Sequence, residues 1–156
     1  MFSLVSDMNS AFGNPKGDPT NINWKRLEKQ IRNILDEYKE TMDGVELRDP
    51  AAVRDGLCDI MVFTLGAYHF LGLDANADMK TVVDAVYTRF CKDQAELDAT
   101  MQKYKDLEVE FYVEGEFPTK CLKSAKDQQD KNGDNLPMGK FLKCAFFKEP
   151  VFAQLG

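Results

Sequence analysis

The 156-residue sequence predicts a mainly α-helical bundle that is followed by a small β-hairpin arm near its C-terminal end. Two observations carry this prediction. Up to about residue 107, apolar residues recur at steps of three and four, which is the period of an amphipathic helix. From Val109 to Val113 they alternate with charged or polar residues, which is the period of a strand. We therefore expect a helical core over residues 1–107, and a β-arm and tail over 108–156 that belong to the same domain.

Two helices are predicted in the N-terminal third of the chain. The first spans residues 1–11, and a loop rich in proline and glycine follows it. Asn21 or Asn23 is placed to cap the second helix, which we expect to end near Asp43-Gly44. Its apolar stripe is narrow and indicates a face packed against a partner helix. This stripe consists of Trp24, Leu27, Ile31, Ile34 and Tyr38.

The third helix is the most apolar segment of the chain. It begins at Asp49-Pro50, because proline has no N–H to lose at the first helical position. From Leu57 to Leu71 the segment is apolar nearly all round, which predicts a central helix covered on most sides. Asp55 and Asp59 stand in its first turns, where a buried carboxylate would need a partner.

Shorter elements complete the predicted fold. After a fourth helix, Asp93 with Glu96 three residues later predicts the start of a fifth. A second short strand is expected at Lys120–Lys123, and a strand-like run resumes over Gly139–Phe146. The polar stretch over residues 127–135 reads as a turn or mobile loop between them.

Composition excludes several classes of protein. The formal net charge of −6 argues against a general nucleic-acid binder, because phosphate backbones require a basic surface. The four cysteines form no CxxC pair and have no adjacent histidine, which indicates reduced and mostly buried thiols rather than a zinc site. No basic-then-apolar start and no run of 18 apolar residues is present. We therefore expect no signal peptide, no membrane partner and a cytoplasmic location.

The stretch from Ile34 to Asp59 contains two acidic clusters joined by a turn-rich connection. Carboxylates three or four residues apart lie on one face of a helix. If the second and third helices form an antiparallel hairpin, four carboxylates meet, and such oxygen clusters hold hard divalent cations, Mg²⁺ above all. The alternative is a solvated acidic surface. The four carboxylates are those of Glu37, Glu40, Asp55 and Asp59.

The other residues with ligand or stacking chemistry have structural explanations. His69 follows Asp59 by ten residues, about 15 Å along the helix, so we expect a core histidine rather than a metal ligand. Trp24 lies in a helical stripe, which favours packing over base stacking. The chain has no glycine-rich phosphate loop, and Lys140 with Lys143 is only a basic spot.

Three separated motifs, in this order, carry a resemblance to a known family. They are Ala11-Phe12-Gly13, Asp55-Gly56-Leu57-Cys58-Asp59 and Gly139-Lys140-Phe141-Leu142-Lys143. Together with the acidic pair before them on the second helix, the motifs resemble the all-α nucleoside triphosphate pyrophosphohydrolases. This MazG-like group includes dimeric dUTPases and phosphoribosyl-ATP pyrophosphohydrolase. More narrowly, the chain resembles the phosphoribosyl-ATP pyrophosphohydrolase-like proteins common in bacteriophage genomes.

The resemblance implies an all-α fold and a Mg²⁺-dependent hydrolase, with Mn²⁺ as a possible substitute. Such enzymes split (deoxy)nucleoside triphosphates into the monophosphate and pyrophosphate. It also implies a homodimer or homotetramer with a site built between chains, in the host cytoplasm if the protein is phage-encoded. The implied metal ligands are Glu37, Glu40 and Asp59, with Asp55 as a fourth carboxylate. Asp36 or Glu37 would accept the proton of the attacking water, and the implied substrate-binding groups are Arg89, Lys92, Lys140 and Lys143.

The sequence departs from the family pattern at one ligand position and leaves two alternatives open. Many members carry glutamate where this chain has Gly56, with Asp55 displaced by one residue. One alternative keeps the fold but narrows the substrate to phosphoribosyl-ATP or a signalling nucleotide. The other is a non-catalytic helical interaction protein that uses the acidic face and the β-arm for protein contacts.

Overall fold

The computed structural model describes residues 1–153, which divide into two compact units. The first unit comprises Met1–Asp78 with Ala153, and the second comprises Met79–Phe152. The fold is mainly helical with a small antiparallel strand region towards the C-terminal end, as predicted. The helices are α1 (Phe2–Ala11), α2 (Trp24–Glu46), α3 (Pro50–Leu71), α4 (Ala75–Tyr87) and α5 (Gln94–Asp106).

The starts of α2 and α3 are fixed by side-chain caps. The Asn23 side chain accepts a hydrogen bond from the Arg26 backbone N–H at 3.1 Å, so Asn23 is the cap of α2. The Asp49 carboxylate accepts bonds from the first two free N–H groups of α3, with Pro50 at the first helical position. Both starts lie where the sequence predicts them, because caps of this kind are local in the chain.

Small residues let α2 and α3 approach closely in the first unit. A Cβ on Gly44 would lie 3.1 Å from Ala52 Cβ, and a Cβ on Gly56 would lie 2.2 Å from Thr41 Oγ1. The predicted end of α2 near Asp43-Gly44 is wrong, and the helix continues to Glu46. Gly44 is buried against α3, so it serves helix packing there rather than helix termination.

The expectation that α3 is covered on most sides is also wrong. Its buried residues lie on the side that faces α1 and α2 or near its C-terminal end, whereas Leu57 is 50% and Met61 45% exposed. His69, near that end, is fully buried. Its Nε2 donates to the Asn14 carbonyl at 2.9 Å and its Nδ1 accepts from Ser6 Oγ at 2.8 Å. The predicted core role of His69 is therefore confirmed.

The second unit contains α5 and all five strands. The strands are β1 (Phe111–Glu114), β2 (Cys121–Ser124), β3 (Gln128–Gln129), β4 (Asn135–Leu136) and β5 (Phe141–Leu142). They form an antiparallel sheet in the order β1-β2-β5 and a separate β3-β4 pair. The stretch over 127–135, which we expected to be a turn or mobile loop, thus provides the β3-β4 pair.

A hydrophobic core joins α5 to the strands. It consists of Cys91, Leu97, Tyr104, Val109, Leu122, Leu136, Leu142 and Cys144. The change from helix to strand near residue 107 therefore falls inside the second unit, whereas the unit boundary lies within α4.

Three of the four free cysteines are buried, as expected, and burial raises the pKa of Cys91 to about 11. These thiols are packing groups.

Among the described residues, no single helix is both long and apolar enough to cross a membrane. Helices α3 and α4, which form a bent pair, are together long and apolar enough for a membrane span by length and composition only.

The contact between Gly56 and Thr41 provides a test of the α2–α3 packing. Gly56→Ala would place a methyl group 2.2 Å from Thr41 Oγ1 and 3.2 Å from the Thr41 backbone Cα. We expect the free energy of unfolding to fall by about 1–3 kcal/mol, the usual cost of overpacking, although alanine is the better helix former. Urea denaturation measures the change. The double variant Thr41→Ala/Gly56→Ala should recover part of the loss, and a Gly56→Ala protein as stable as the wild type would contradict this packing.

Candidate functional site

The α2–α3 hairpin brings the predicted carboxylates together in the first unit. Glu37 is half-buried, and loss of hydration is the largest of the effects that raise its pKa. The negative charges of Glu40, Asp59, Asp36 and Asp55, in that order, raise the pKa further. Charges act in this way only over short distances. The two acidic clusters are therefore close to each other in space, as the hairpin geometry predicts.

The chain does not neutralise this carboxylate cluster. Asp36 forms an exposed ion pair with Lys39 at 2.9 Å, one helical turn away. The other four carboxylates form no hydrogen bond or ion pair with any residue from 1 to 153. They are the four predicted metal ligands, Glu37, Glu40, Asp55 and Asp59. The cluster thus carries uncompensated negative charge, which disfavours its ionised form.

The burial argument for Asp55 and Asp59 needs correction. Asp55 is exposed and Asp59 is half-buried, because this part of α3 is covered only on the α2 side. Desolvation therefore does not force these two carboxylates to bind a cation. Their mutual repulsion with Glu37 remains, and it is the electrostatic feature that distinguishes them from ordinary surface charges.

The donor atoms fit a hard divalent cation, although they are not preassembled around one. Carboxylate oxygens are the ligands that Mg²⁺ and Mn²⁺ prefer. In residues 1–153, no three His, Cys, Asp or Glu side chains stand in the arrangement of a metal-binding group. Glu40 and Asp55 are exposed, so their side chains can change rotamer without moving packed groups.

The structure leaves no room at position 56 for a larger side chain. Gly56 is buried and faces Thr41 across the closest part of the α2–α3 contact. A glutamate at this position would have to displace the helix that it faces. Asp55, one residue earlier, is exposed, and its negative charge raises the pKa of Glu37.

A cavity of about 450 Å³ lies in the same unit and was not predicted. Its volume falls in the range of small-molecule sites, about 300–1,000 Å³. The apolar lining consists of Met8, Phe12, Val62, Phe63 and Phe70, and the polar lining of Asn9, Asn14, Arg26, Lys29, Gln30 and Asn33. A lining of aromatic rings, amides and two cations suits a planar, polar and partly anionic ligand.

Some of these polar groups hold the cavity walls in place, and others are free. The Arg26 guanidinium lies over the Phe70 ring at 4.0 Å and donates to Asn14 Oδ1 at 2.6 Å. Gln30 Nε2 donates to the Phe63 carbonyl at 3.0 Å. Within the described chain, the side chains of Lys29 and Asn33 form no hydrogen bond or ion pair. They are the groups available to a ligand.

The cavity adjoins the carboxylate cluster along both helices. Asn33 precedes Glu37 by four residues on α2, and Phe63 follows Asp59 by four residues on α3. Each step is one helical turn, about 6 Å along the axis. The sequence signal that could have revealed the cavity is the step of four from Lys29 to Asn33 to Glu37, which places polar groups on one helix face.

The predicted phosphate-binding residues lie in the second unit, and the structure does not gather them in one pocket. Lys92 lines a cleft of about 210 Å³, whereas Arg89 lines a different cavity of about 390 Å³. Lys140 Nζ donates to the Asn135 carbonyl at 3.0 Å, and Lys143 forms an ion pair with Glu149 at 2.9 Å. Their substrate-binding role stays a prediction.

The repulsion at Glu37 predicts a pH-dependent stability. Folding raises the pKa of Glu37, so ionisation of this carboxylate lowers the free energy of unfolding. Its cost is absent below the pKa of an unfolded glutamate, about 4.3, and grows as the pH rises through the higher folded value. We expect metal-free Glu37→Gln to melt at a higher temperature than the wild type near pH 7, with the difference vanishing towards pH 4.

Thermal melts in the presence of a chelator, over this pH range, measure the effect. Glu116→Gln is the matched control, because Glu116 is an exposed glutamate outside the cluster and should show no gain. A Glu37→Gln protein that melts at or below the wild-type temperature at neutral pH would contradict the repulsion.

No protein-family model matches the chain, and no curated protein or solved structure gives a significant match. The resemblance to the all-α pyrophosphohydrolases therefore rests on the sequence motifs alone.

Proposed function

We propose that the first unit hydrolyses (deoxy)nucleoside triphosphates to the monophosphate and pyrophosphate with the help of Mg²⁺ or Mn²⁺. The observation that carries this proposal is a cluster of four unneutralised carboxylates, of which Glu37 and Asp59 lie one helical turn from residues that line a cavity of about 450 Å³. A nucleotide has two parts that match these two features, namely a planar base with its sugar and a chain of phosphates. The cavity would take the first part, and the phosphates would extend towards the carboxylates.

A triphosphate can bind beside these carboxylates only if cations offset the negative charge. Triphosphate and carboxylates are both anionic, so they repel each other unless cations lie between them. Glu37, Glu40, Asp55 and Asp59 would hold those cations through their free oxygens. When bound, a divalent cation offsets the charge of the triphosphate and lowers the pKa of a water molecule that it holds.

A carboxylate of the same cluster would accept the proton of the attacking water. The sequence leaves Asp36 and Glu37 as candidates. Asp36 is held in an ion pair with Lys39, whereas Glu37 has no such partner and a raised pKa. A proton acceptor needs a free oxygen within reach of the water, so the missing ion pair favours Glu37. Phosphoryl transfer otherwise needs mainly positioning and charge compensation from the protein.

The cavity would position the nucleoside. Its phenylalanine rings offer apolar contact to a planar base, and the free amide of Asn33 offers both a donor and an acceptor. Lys29, one turn before Asn33, would add a positive charge to the cavity lining. These groups give no preference for one base, and phosphoribosyl-ATP or a signalling nucleotide would meet the same lining.

A non-catalytic helical interaction protein is the competing function. The exposed apolar side chains on α2 favour it, since contiguous apolar surface marks contact sites. Calorimetry separates the two functions, because only the enzyme is expected to release or take up heat on addition of Mg²⁺ with a non-hydrolysable nucleotide.

Pyrophosphate release from a panel of NTPs and dNTPs with Mg²⁺ tests the proposed hydrolysis. The Glu37→Gln/Glu40→Gln variant should lose more than about 100-fold in kcat/KM, since even indirect metal contacts are worth 10–100-fold. Glu116→Gln, outside the cluster, should retain full activity. No release from any nucleotide, including phosphoribosyl-ATP, would exclude the proposed function, as would unchanged release by the double variant.

The role of the cavity has its own test in Asn33→Ala. Loss of one hydrogen bond to the nucleoside costs about 1.5 kcal/mol, so KM should rise by about tenfold while kcat changes little. Asn76→Ala, an exposed asparagine that does not line the cavity, is the matched control. Steady-state kinetics on the best substrate of the panel give both constants. A fall in kcat at unchanged KM would contradict a binding role for this amide.

A further inference from the structure

The side-chain amide of Gln30 has a fixed orientation in the wall of the cavity of about 450 Å³. Its Nε2 donates to the Phe63 carbonyl at 3.0 Å. A carbonyl oxygen only accepts hydrogen bonds, so the nitrogen end of the amide must face α3. The Oε1 end accepts no hydrogen bond from any described residue, and protein atoms do not enclose it. Gln30 therefore presents a hydrogen-bond acceptor to the cavity.

The space for this amide is left by Gly66 on α3. Gly66 is buried, and a Cβ at this position would lie 2.5 Å from Gln30 Nε2. Alanine would therefore push the amide nitrogen away from the Phe63 carbonyl. Glycine inside a helix is less favourable than alanine, and here it admits the side chain that faces it.

The other amides of the lining differ from Gln30 in what they offer. Asn14 Nδ2 donates to Asn9 Oδ1 at 3.4 Å, and Asn14 Oδ1 accepts from Arg26 Nη2 at 2.6 Å. Asn9 Nδ2 donates to a backbone carbonyl of α1 at 2.9 Å. Both ends of these two amides are thus occupied. Asn33 has no partner within the described chain, so it can turn either end of its amide to a ligand. In Gln30 the nitrogen end is bound and the oxygen end is free.

A fixed acceptor distinguishes planar bases by the donors that they carry. The exocyclic amino group of adenine, cytosine or guanine projects from the ring and carries N–H donors. The ring N–H of uracil, thymine or hypoxanthine stands beside a carbonyl oxygen, which a second fixed acceptor repels. Two facing carbonyl groups also leave each other without a hydrogen bond. The free groups of the lining adapt to any base, whereas Gln30 cannot turn.

We propose that Gln30 is a specificity-determining residue of the cavity and selects nucleotides whose base carries an exocyclic amino group. Gln30 Oε1 accepts an N–H of that amino group. Gly66 acts through Gln30 and is a positioning residue. That the ligand is a nucleotide rests on the proposed function, and the preference for a donor rests on the fixed amide.

Nucleotide pairs that differ in a single amino group test this preference. They are adenosine and purine riboside, cytidine and pyrimidin-2-one riboside, and guanosine and inosine. Each is used as the α,β-methylene triphosphate, which cannot be split between its α- and β-phosphates. Calorimetry in the presence of Mg²⁺ gives the Kd of each compound. We expect the amino-bearing member to bind about tenfold more tightly in at least one pair, the worth of one hydrogen bond, and more weakly in none.

Two variants and a control test the role of the amide. Gln30→Met keeps the length of the side chain and removes the amide, so the members of each pair should bind with equal Kd. Gly66→Ala displaces the amide from α3 without a contact to the ligand, so the preference should shrink. Its urea midpoint should stay at or above that of the wild type, because alanine is the better helix former. Gln102→Met changes an exposed glutamine outside the cavity lining and should keep the wild-type preference.

Equal Kd values within all pairs, or no binding of any analogue, would overturn the inference. An undiminished preference in Gln30→Met or in Gly66→Ala would do the same. Because the analogues are not hydrolysed, the two proposals fail separately. Pyrophosphate release at equal efficiency from both members of every natural pair would keep the hydrolysis and exclude the selection. Preferential binding of the amino-bearing analogues without release from any nucleotide would exclude the hydrolysis and keep the selection.

Discussion

The close contact between α2 and α3 is the constraint on which the first unit depends. Gly44 and Gly56 leave room for the opposite helix, so the two backbones approach to a distance that larger side chains would prevent. This contact fixes which turn of α2 faces which turn of α3. The acidic turns of the two helices meet as a result, and the turns that follow along the hairpin line the cavity. Gly44 and Gly56 have no reactive side chains, but their close contacts determine how the carboxylate cluster and the cavity lining are placed.

The same hairpin holds two electrostatic costs that the described chain does not offset. Four carboxylates share one region without a cation, and the charges of α2 oppose its dipole. A bound cation would offset the first cost. The proposed hydrolysis therefore rests on a charge arrangement that the described chain leaves unbalanced.

The features that sequence predicts well are those that depend on near neighbours in the chain. Asn23 and Asp49-Pro50 start their helices because a cap bonds to N–H groups two or three residues away. Gly44 misled the prediction because a glycine can end a helix or admit a neighbouring helix, and only the tertiary contact decides. The exposure of Asp55 and the cavity beside Asn33 likewise depend on which faces the hairpin covers. The carboxylate cluster was predictable because helical period and hairpin direction suffice to bring its members together.

The second helix uses one face for two purposes. Asn33, Glu37, Thr41 and Gly44 follow one another at steps of four and three, so they lie on one side of α2. Thr41 and Gly44 pack on α3 there, Asn33 lines the cavity and Glu37 belongs to the carboxylate cluster, while large apolar side chains stay exposed on another side. A helix in contact with one neighbour needs only one apolar face. The additional apolar face explains why the predicted stripe mixed residues that are now separated, with Leu27 and Ile34 half-buried and Ile31 and Tyr38 exposed. A single stripe in the sequence thus combined residues from two sides of α2, of which one is exposed in the described chain.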